Sequence, residues 1–176
     1  MLIAPLLAVL IQTLTGGSID ALQPPAGAKA IVYIFTSTDC PVSNRYATEI
    51  QRLARAFAPK GIVFRLVYPG GAESDAAIRQ HLSAYGYGRA VDGLRDRDLA
   101  LVKHVGATIT PEAAVIVGGR VVYRGRIDDR YVELGVERPT ATTHDLADVL
   151  NATLTGAPIA HPVTQAVGCF IADLTR

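Results

Sequence analysis

The sequence has few of the residues that mark several common functional classes. It is 176 residues long and contains no Trp, one Met and two Cys, and its 17 basic and 16 acidic residues give a net charge of +1. Lys and Arg form no run, so the chain has no electrostatic footprint for nucleic acid. No stretch reaches the roughly 18 uninterrupted apolar residues of a membrane-spanning helix. We therefore expect no nucleic-acid partner and no stable membrane span.

Motifs for metal ions and phosphates are also missing. The chain has four histidines, His81, His104, His144 and His161. They form no paired ligand motif, so we expect ordinary surface or capping residues, with no metal and no cofactor. The pair Gly118-Gly119 leads into an apolar run rather than a helix, which predicts a hairpin turn and not a phosphate-binding loop.

The first 27 residues differ from the rest of the chain. Residues 2–11 are apolar, and no Lys or Arg precedes Lys29. This pattern predicts a possible signal peptide and linker over residues 1–27, followed by one domain over residues 28–176. The protein would then be exported to the periplasm or secreted. The alternative is a surface-packed or domain-swapped helix, which would leave the protein cytoplasmic.

From residue 28 onwards, strand and helix patterns alternate. Strands are predicted at 31–35, 62–67, 90–94, 113–117 and 121–124, and helices at 41–57, around 78–85, around 99–105 and from about 142. Asp96 resembles an N-cap, and Thr142 with Asp145 resembles a capping box. The order predicts an α/β fold with a mixed sheet, helices on both faces and an antiparallel hairpin at one side.

Cys40 lies between the first apolar run and the first predicted helix. The segment is Thr38-Asp39-Cys40-Pro41-Val42-Ser43, and proline suits the first helical position because its missing N–H has no partner there. A thiolate at the start of a helix faces unpaired N–H groups, which lowers its pKa. The pattern favours a nucleophilic cysteine over the alternative, a buried structural one.

Four segments suggest a family. They are Thr38-Asp39-Cys40-Pro41, Thr110-Pro111-Glu112, Tyr123-Arg124-Gly125-Arg126-Ile127-Asp128-Asp129 and Gly168-Cys169-Phe170-Ile171. With them the chain resembles the thioredoxin-like superfamily over about residues 30–171, and within it the peroxiredoxin-like or redoxin branch (alkyl hydroperoxide reductase and thiol-specific antioxidant). The resemblance implies a three-layer α/β/α sandwich with a central mixed sheet, and a cis-Pro111 that faces Cys40.

The chain departs from the family pattern at two positions. Thioredoxins carry a C-x-x-C pair, whereas the second position here is Ser43. Its hydroxyl can donate a hydrogen bond to the Cys40 thiolate but cannot resolve a mixed disulfide. Typical peroxiredoxins have Thr three residues before the reactive cysteine, whereas Ser37 stands there in this chain, followed by Thr38.

The first functional hypothesis is a thiol peroxidase. Cys40 would reduce a peroxide and become a sulfenic acid, Cys169 would condense with it, and an external thiol would restore both. Peroxide cleavage needs a donor to the leaving oxygen, for which Ser37 or Thr38 is the candidate. It also needs a cation near the thiolate, and the resemblance implies that Arg126 supplies it. The alternative for Arg126 and the neighbouring Arg124 is a hairpin edge, where they would pair with Asp128 or Asp129.

Two further hypotheses remain open. The second is a thiol–disulfide exchange protein, in which Cys40 attacks substrate disulfides and Cys169 resolves them. The third is non-enzymatic, with the fold as a binding module or with a permanent Cys40–Cys169 staple, which the loop-entropy model values at about 4–5 kcal/mol. The sequence leaves the oligomeric state and the electron donor undetermined.

Overall fold

The computed structural model describes residues 8–88, 91–172 and 174. The strands are β1 (Leu10–Thr13), β2 (Ser18–Asp20), β3 (Ala30–Phe35), β4 (Ile62–Pro69), β5 (Val91–Asp96), β6 (Ile109–Thr110), β7 (Glu112–Val117), β8 (Arg120–Gly125), β9 (Tyr131–Glu133), β10 (Val136–Glu137) and β11 (Cys169–Phe170). The helices are α1 (Pro41–Arg45), α2 (Ala47–Phe57), α3 (Asp75–Ala84), α4 (Ala100–Val105) and α5 (Asp145–Thr155), with a 3₁₀ turn at Ala58–Lys60.

A mixed sheet forms the centre of the domain, in the order β2-β1-β5-β4-β3-β7-β8. Strands β3, β4 and β5 are parallel, whereas β7 is antiparallel to both β3 and β8. Gly118 and Gly119 join β7 to β8 with φ angles of 55° and 78°, so they are hairpin turn residues. The predicted α/β class and the antiparallel hairpin at one edge are confirmed.

The central strand β3 shows how the sheet separates two cores. All six of its residues are buried, as expected for a strand covered on both faces. Val32 and Ile34 face the core that contains α2 and α5, while Tyr33 and Phe35 face the core that contains α4. Side chains alternate along a strand, so this one segment supports both layers of helices. The domain is thus a three-layer α/β/α sandwich.

The N-terminal segment contributes two strands to the sheet. β1 pairs with β2 and also with β5, and Val9 and Ile11 are buried. The sheet therefore includes residues that the sequence assigned to a signal peptide and linker, and the domain extends before residue 28. Residues 1–7 lie outside the described part. Within the described ranges, no helix is long and apolar enough to cross a bilayer.

The predicted helix over residues 41–57 is interrupted at Tyr46. This residue ends α1 with ψ of −6°, and its N–H bonds to the carbonyls of Val42 and Ser43 before α2 begins. The Tyr46 side chain is buried, and its hydroxyl donates to Asp128. The periodic pattern of one helix was correct for the buried face, but it did not show the break that anchors this side chain.

Two helix caps that the sequence predicts, at Asp96 and at Thr142, differ from those in the structure. The N-cap position of α4 is Leu99 and not Asp96, which ends β5. The Asp96 carboxylate still accepts the N–H groups of Ala100 and Val102 at 2.7 and 2.8 Å, so it satisfies the start of α4 from outside the cap position. The capping box at Thr142 is wrong. The Thr142 N–H donates to Asp129 instead, and α5 begins three residues later at Asp145. The predicted strand at 90–94 corresponds to β5, and Ala90 lies outside the described residues.

Candidate active site

The turn at residues 36–40, hereafter the Cys40 turn, connects β3 to α1. Cys40 is the N-cap of α1 and Pro41 is its first residue, as the sequence predicts. The Cys40 side chain is only 1% exposed. Its sulfur lies 3.5 Å from the N–H of Ser43, which donates to it. The cysteine therefore sits at the carboxyl end of a central strand, with a backbone donor directed at its sulfur.

Cys169 reaches the same point from the C-terminal segment. Strand β11 pairs antiparallel with β6, which places Cys169 opposite Thr110. The two sulfur atoms are 2.8 Å apart, and both cysteines are free thiols. The structure thus brings together two residues that lie 129 positions apart in the sequence.

The two thiols have opposite acidities. Burial alone would raise the pKa of Cys40, but hydrogen bonds from Cys169, Ser43 and Thr110 outweigh it, and the pKa of Cys40 is lowered. Burial, the hydrogen bond to Cys40 and its charge raise the pKa of Cys169 to about 12. Cys40 is therefore the thiol that ionises first, and Cys169 keeps the proton that stabilises the Cys40 thiolate.

Thr110 and Pro111 form the opposite wall of the site. The peptide bond between them is cis, as expected. The Cys40 sulfur lies 3.1 Å from the Thr110 carbonyl oxygen. Ser43 completes the wall from α1. The Ser43 hydroxyl is buried and has no hydrogen-bond partner of regular geometry among the residues that the structure describes. The Ser43 side chain nevertheless contributes to the lowered pKa of Cys40.

Ser37 and Thr38 contact a carboxylate that the sequence analysis did not identify. The Thr38 N–H donates to Glu73 at 2.6 Å, and the Ser37 hydroxyl contacts both Glu73 and Asp39. Glu73 belongs to the loop between β4 and α3, and no motif marks it. These polar groups therefore hold the Cys40 turn against the neighbouring loop.

Arg126 is engaged elsewhere. Its guanidinium forms an ion pair with Asp145 at 2.8 Å and contacts Thr143, at the start of α5. The neighbouring Arg124 pairs with Glu112 at 3.1 Å. The alternative interpretation, in which the two arginines pair with Asp128 or Asp129, therefore named the wrong carboxylates. The structure gives Arg126 no contact with the Cys40 thiol among the described residues.

Two glycines, Gly125 and Gly168, position the C-terminal segment, and the sequence analysis named them only as members of the segments that carry the family resemblance. A Cβ on Gly168 would overlap the Thr110 carbonyl, and a Cβ on Gly125, whose φ is 153°, would overlap Thr164. The Thr164 hydroxyl accepts the N–H of Arg126 at 3.1 Å. Close backbone approach at both glycines therefore places Cys169 beside Cys40.

The position of His81 differs from the sequence prediction of a surface or capping residue. His81, on α3, is only 6% exposed, and it bonds to Tyr68 and Asn44. It is therefore a core residue rather than a surface or capping one. Among the described residues, no group of three or more His, Cys, Asp or Glu side chains is arranged to hold a metal ion.

Comparisons with known proteins agree with the fold. No family model and no curated protein matches the chain. The chain is 24% identical to an uncharacterised conserved protein of Geobacillus kaustophilus, covering 94% of this chain and 88% of that one with a TM-score of 0.78. A hypothetical protein of Sinorhizobium meliloti matches at 22% identity, with coverage of 94% and 90% and a TM-score of 0.77.

A third similar structure is a secreted disulfide oxidoreductase of Mycobacterium tuberculosis. It is 21% identical, with coverage of 84% and 94% and a TM-score of 0.54. Other matches include thioredoxin-like proteins. Together with the sheet order and the cis-proline beside a cysteine turn, these matches establish a thioredoxin-like fold.

Proposed function

We propose that the protein is a thiol–disulfide oxidoreductase whose redox pair is Cys40 and Cys169. The observation that carries the proposal is the 2.8 Å separation of the two sulfur atoms, with the pKa of one lowered and that of the other raised. A thiolate is the attacking species in disulfide exchange. The pair therefore supplies both the nucleophile and the resolving thiol that the missing C-x-x-C motif would otherwise provide.

The chemistry proceeds in two exchanges. The Cys40 thiolate attacks one sulfur of a substrate disulfide, forms a mixed disulfide and releases one substrate thiolate. Cys169 then loses its proton to the departing thiolate and attacks the Cys40 sulfur. This step forms the Cys40–Cys169 disulfide and releases the second substrate thiol. Two electrons pass to the substrate, and an external thiol reductant reduces the pair again.

Peroxide reduction is the second candidate. A Cys40 sulfenic acid would lie within reach of Cys169, so the same geometry supports its condensation to a disulfide with loss of water. The side chains expected to assist peroxide cleavage give this candidate less support, because they are bonded to other groups. Ser37 and Thr38 bond to Asp39 and Glu73, and Arg126 bonds to Asp145. We therefore rank disulfide exchange first.

The deciding experiment mixes the reduced protein with either a peptide disulfide or one equivalent of hydrogen peroxide and follows the products by mass spectrometry. Disulfide exchange predicts turnover in the wild type, none in Cys40→Ser, and a trapped Cys40–peptide adduct in Cys169→Ser. If peroxide oxidises Cys40 rapidly while the peptide disulfide stays intact, the peroxidase is the correct function. Inertness in both arms would contradict both candidates and favour a binding module.

We also propose that the protein works outside the cytoplasm. The apolar first residues support this, and one similar structure is a secreted protein. Because β1 begins at Leu10 in the sheet, any cleavage that preserves the fold would have to precede it. Cell fractionation with N-terminal sequencing of the mature chain tests the proposal, and an intact N-terminus in the cytoplasmic fraction would refute it.

A further inference from the structure

A chain of hydrogen bonds runs from the core to the Cys40 turn. The Tyr68 hydroxyl lies 2.8 Å from Nδ1 of His81, and Nε2 of His81 lies 2.7 Å from Oδ1 of Asn44. The Asn44 amide nitrogen donates to the Thr38 carbonyl at 3.1 Å. Tyr68 lies on β4, His81 on α3 and Asn44 on α1, so three elements contribute one residue each.

With a neutral imidazole, the donors and acceptors of these hydrogen bonds fit only one arrangement. The Thr38 carbonyl can only accept, so the Asn44 amide nitrogen faces it and the Asn44 oxygen faces His81. Nε2 of His81 must then carry the proton. This leaves Nδ1 as an acceptor, which the Tyr68 hydroxyl satisfies. Each polar group of the chain is therefore paired when the imidazole is neutral.

Two contacts converge on Thr38, two residues before Cys40. Asn44 donates to its carbonyl, and Glu73 accepts its N–H at 2.6 Å. The Asn44 backbone N–H also donates to the Cys40 carbonyl at 3.0 Å. The turn is thus fixed on both sides of the Thr38 peptide group, and the sulfur of Cys40 depends on that position for its bonds to Ser43 and Cys169.

We propose that Tyr68, His81 and Asn44 are positioning residues for Cys40. They hold the Cys40 turn where the donors of Ser43 and Cys169 reach the sulfur, and so maintain the reactivity of the thiol. The inference rests on the proposed function, because it assumes that Cys40 is the nucleophile. His81 is not a general base for Cys40, since both of its nitrogens are already bonded to other groups.

The surroundings of His81 agree with a neutral imidazole. Burial lowers the pKa of His81, and the negative charge of Glu73 opposes this effect in part. The rings of Tyr85 and Tyr87 pack against the imidazole at centroid distances of 4.7 and 6.3 Å, and Tyr68 lies at its edge. Burial and the packed rings therefore both favour the neutral imidazole, the form in which its donor and acceptor assignment holds.

The test measures the pH profile of Cys40 alkylation by iodoacetamide in the reduced full-length protein, with peptide mapping to separate Cys40 from Cys169. The variants are His81→Phe, which cannot hydrogen bond, and His81→Gln, which keeps one donor and one acceptor. Asn44→Ala, at a half-buried position, removes the bond to Thr38 and also the acceptor for Nε2 of His81, while the His81 and Tyr68 side chains stay in place. His104→Phe, at an exposed position on α4, is the matched control.

We expect the pH midpoint of Cys40 alkylation to rise by about half a pH unit or more in His81→Phe and Asn44→Ala, because the sulfur then loses its hydrogen-bond donors. His81→Gln and His104→Phe should retain the wild-type midpoint. Wild-type midpoints in both His81→Phe and Asn44→Ala would overturn the inference, and Asn44→Ala decides the matter if His81→Phe does not fold. A wild-type Cys40 that resists alkylation at every pH would instead refute the proposed function.

Discussion

Cys40 and Cys169 reach the same point of the molecule by different means. Cys40 lies at the junction of a fully buried strand and a helix, and its turn is bonded to α1 and to Glu73. Cys169 lies on a strand of two residues, and the other residue of that strand, Phe170, is 82% exposed. One thiol is part of the rigid core, whereas the other depends on the docking of a terminal segment.

The difference shows how the fold separates two chemical roles. The nucleophile needs a fixed environment, because its pKa depends on hydrogen bonds of defined geometry. The resolving thiol needs to approach only after the first exchange, and a short strand with few bonds leaves at low cost. The contrast therefore predicts that changes in the C-terminal segment alter resolution, while changes around the turn alter the first attack.

The largest effect should come from Gly168→Ala. The added Cβ would overlap the Thr110 carbonyl, which is backbone and cannot move aside. Overpacking of this kind costs about 1–3 kcal/mol, so we expect Cys40–Cys169 disulfide formation to slow by about tenfold or more. The measurement is the rate of thiol loss when a small disulfide oxidises the reduced protein.

Gly88→Ala serves as the control for Gly168→Ala. A Cβ on Gly88 meets no atom of the described residues within 4 Å, so this variant should oxidise at the wild-type rate. First attack by Cys40 on a peptide disulfide should persist in Gly168→Ala. Equal oxidation rates in the two glycine variants would show that the close approach at Thr110 does not position Cys169.

A smaller effect is expected for Thr164→Val. The Thr164 hydroxyl bonds to Tyr123 at 2.6 Å and accepts the N–H of Arg126, so valine leaves that N–H unpaired. An unpaired donor costs about 1–3 kcal/mol when it is buried, and this N–H is partly buried, so the lower part of that range applies. We expect a decrease of that size in the free energy of unfolding, measured by urea denaturation. Thr140→Val, at an exposed loop position, should change it little, and equal values for both variants would contradict the anchoring role.

The smallest effect should follow Arg126→Ala. The ion pair with Asp145 is partly exposed, with 33% of the arginine side chain accessible, so its loss costs up to about 1 kcal/mol. The pKa of Cys40 should not change, because Arg126 bonds to α5 and not to the thiol. If the pH midpoint of Cys40 alkylation rises in Arg126→Ala and is normal in Arg126→Lys, Arg126 does influence the thiol. That result would strengthen the peroxidase hypothesis.

Much of the fold was predictable because it depends on local patterns. The apolar run of β3, Pro41 at the start of α1 and Gly118-Gly119 between β7 and β8 each identified their element correctly. The hairpin of β1 and β2 was not predicted, because its apolar residues also fit a leader sequence. Its assignment depends on pairing with β5, which lies far away in the sequence.

The candidate site was predictable to a similar extent. Cys40 and the cis-Pro111 follow from local sequence and a family resemblance, and the structure places both at the site. Glu73 and His81 could not be found in this way, because their roles depend on contacts with Thr38 and Asn44 across three elements. The family resemblance put Arg126 near the Cys40 thiolate, whereas its guanidinium forms an ion pair with Asp145 on α5.

The separation of the two cysteines along the chain gives the pair a second property. Because the two cysteines lie 129 positions apart, their sulfur atoms meet only when the sheet, β6 and the C-terminal segment are all in place. Rapid internal oxidation is therefore a report on the native population of the whole domain. A molecule that has lost its fold keeps both thiols but oxidises at the rate of a random coil, so the fraction of molecules that oxidises rapidly measures how many are folded.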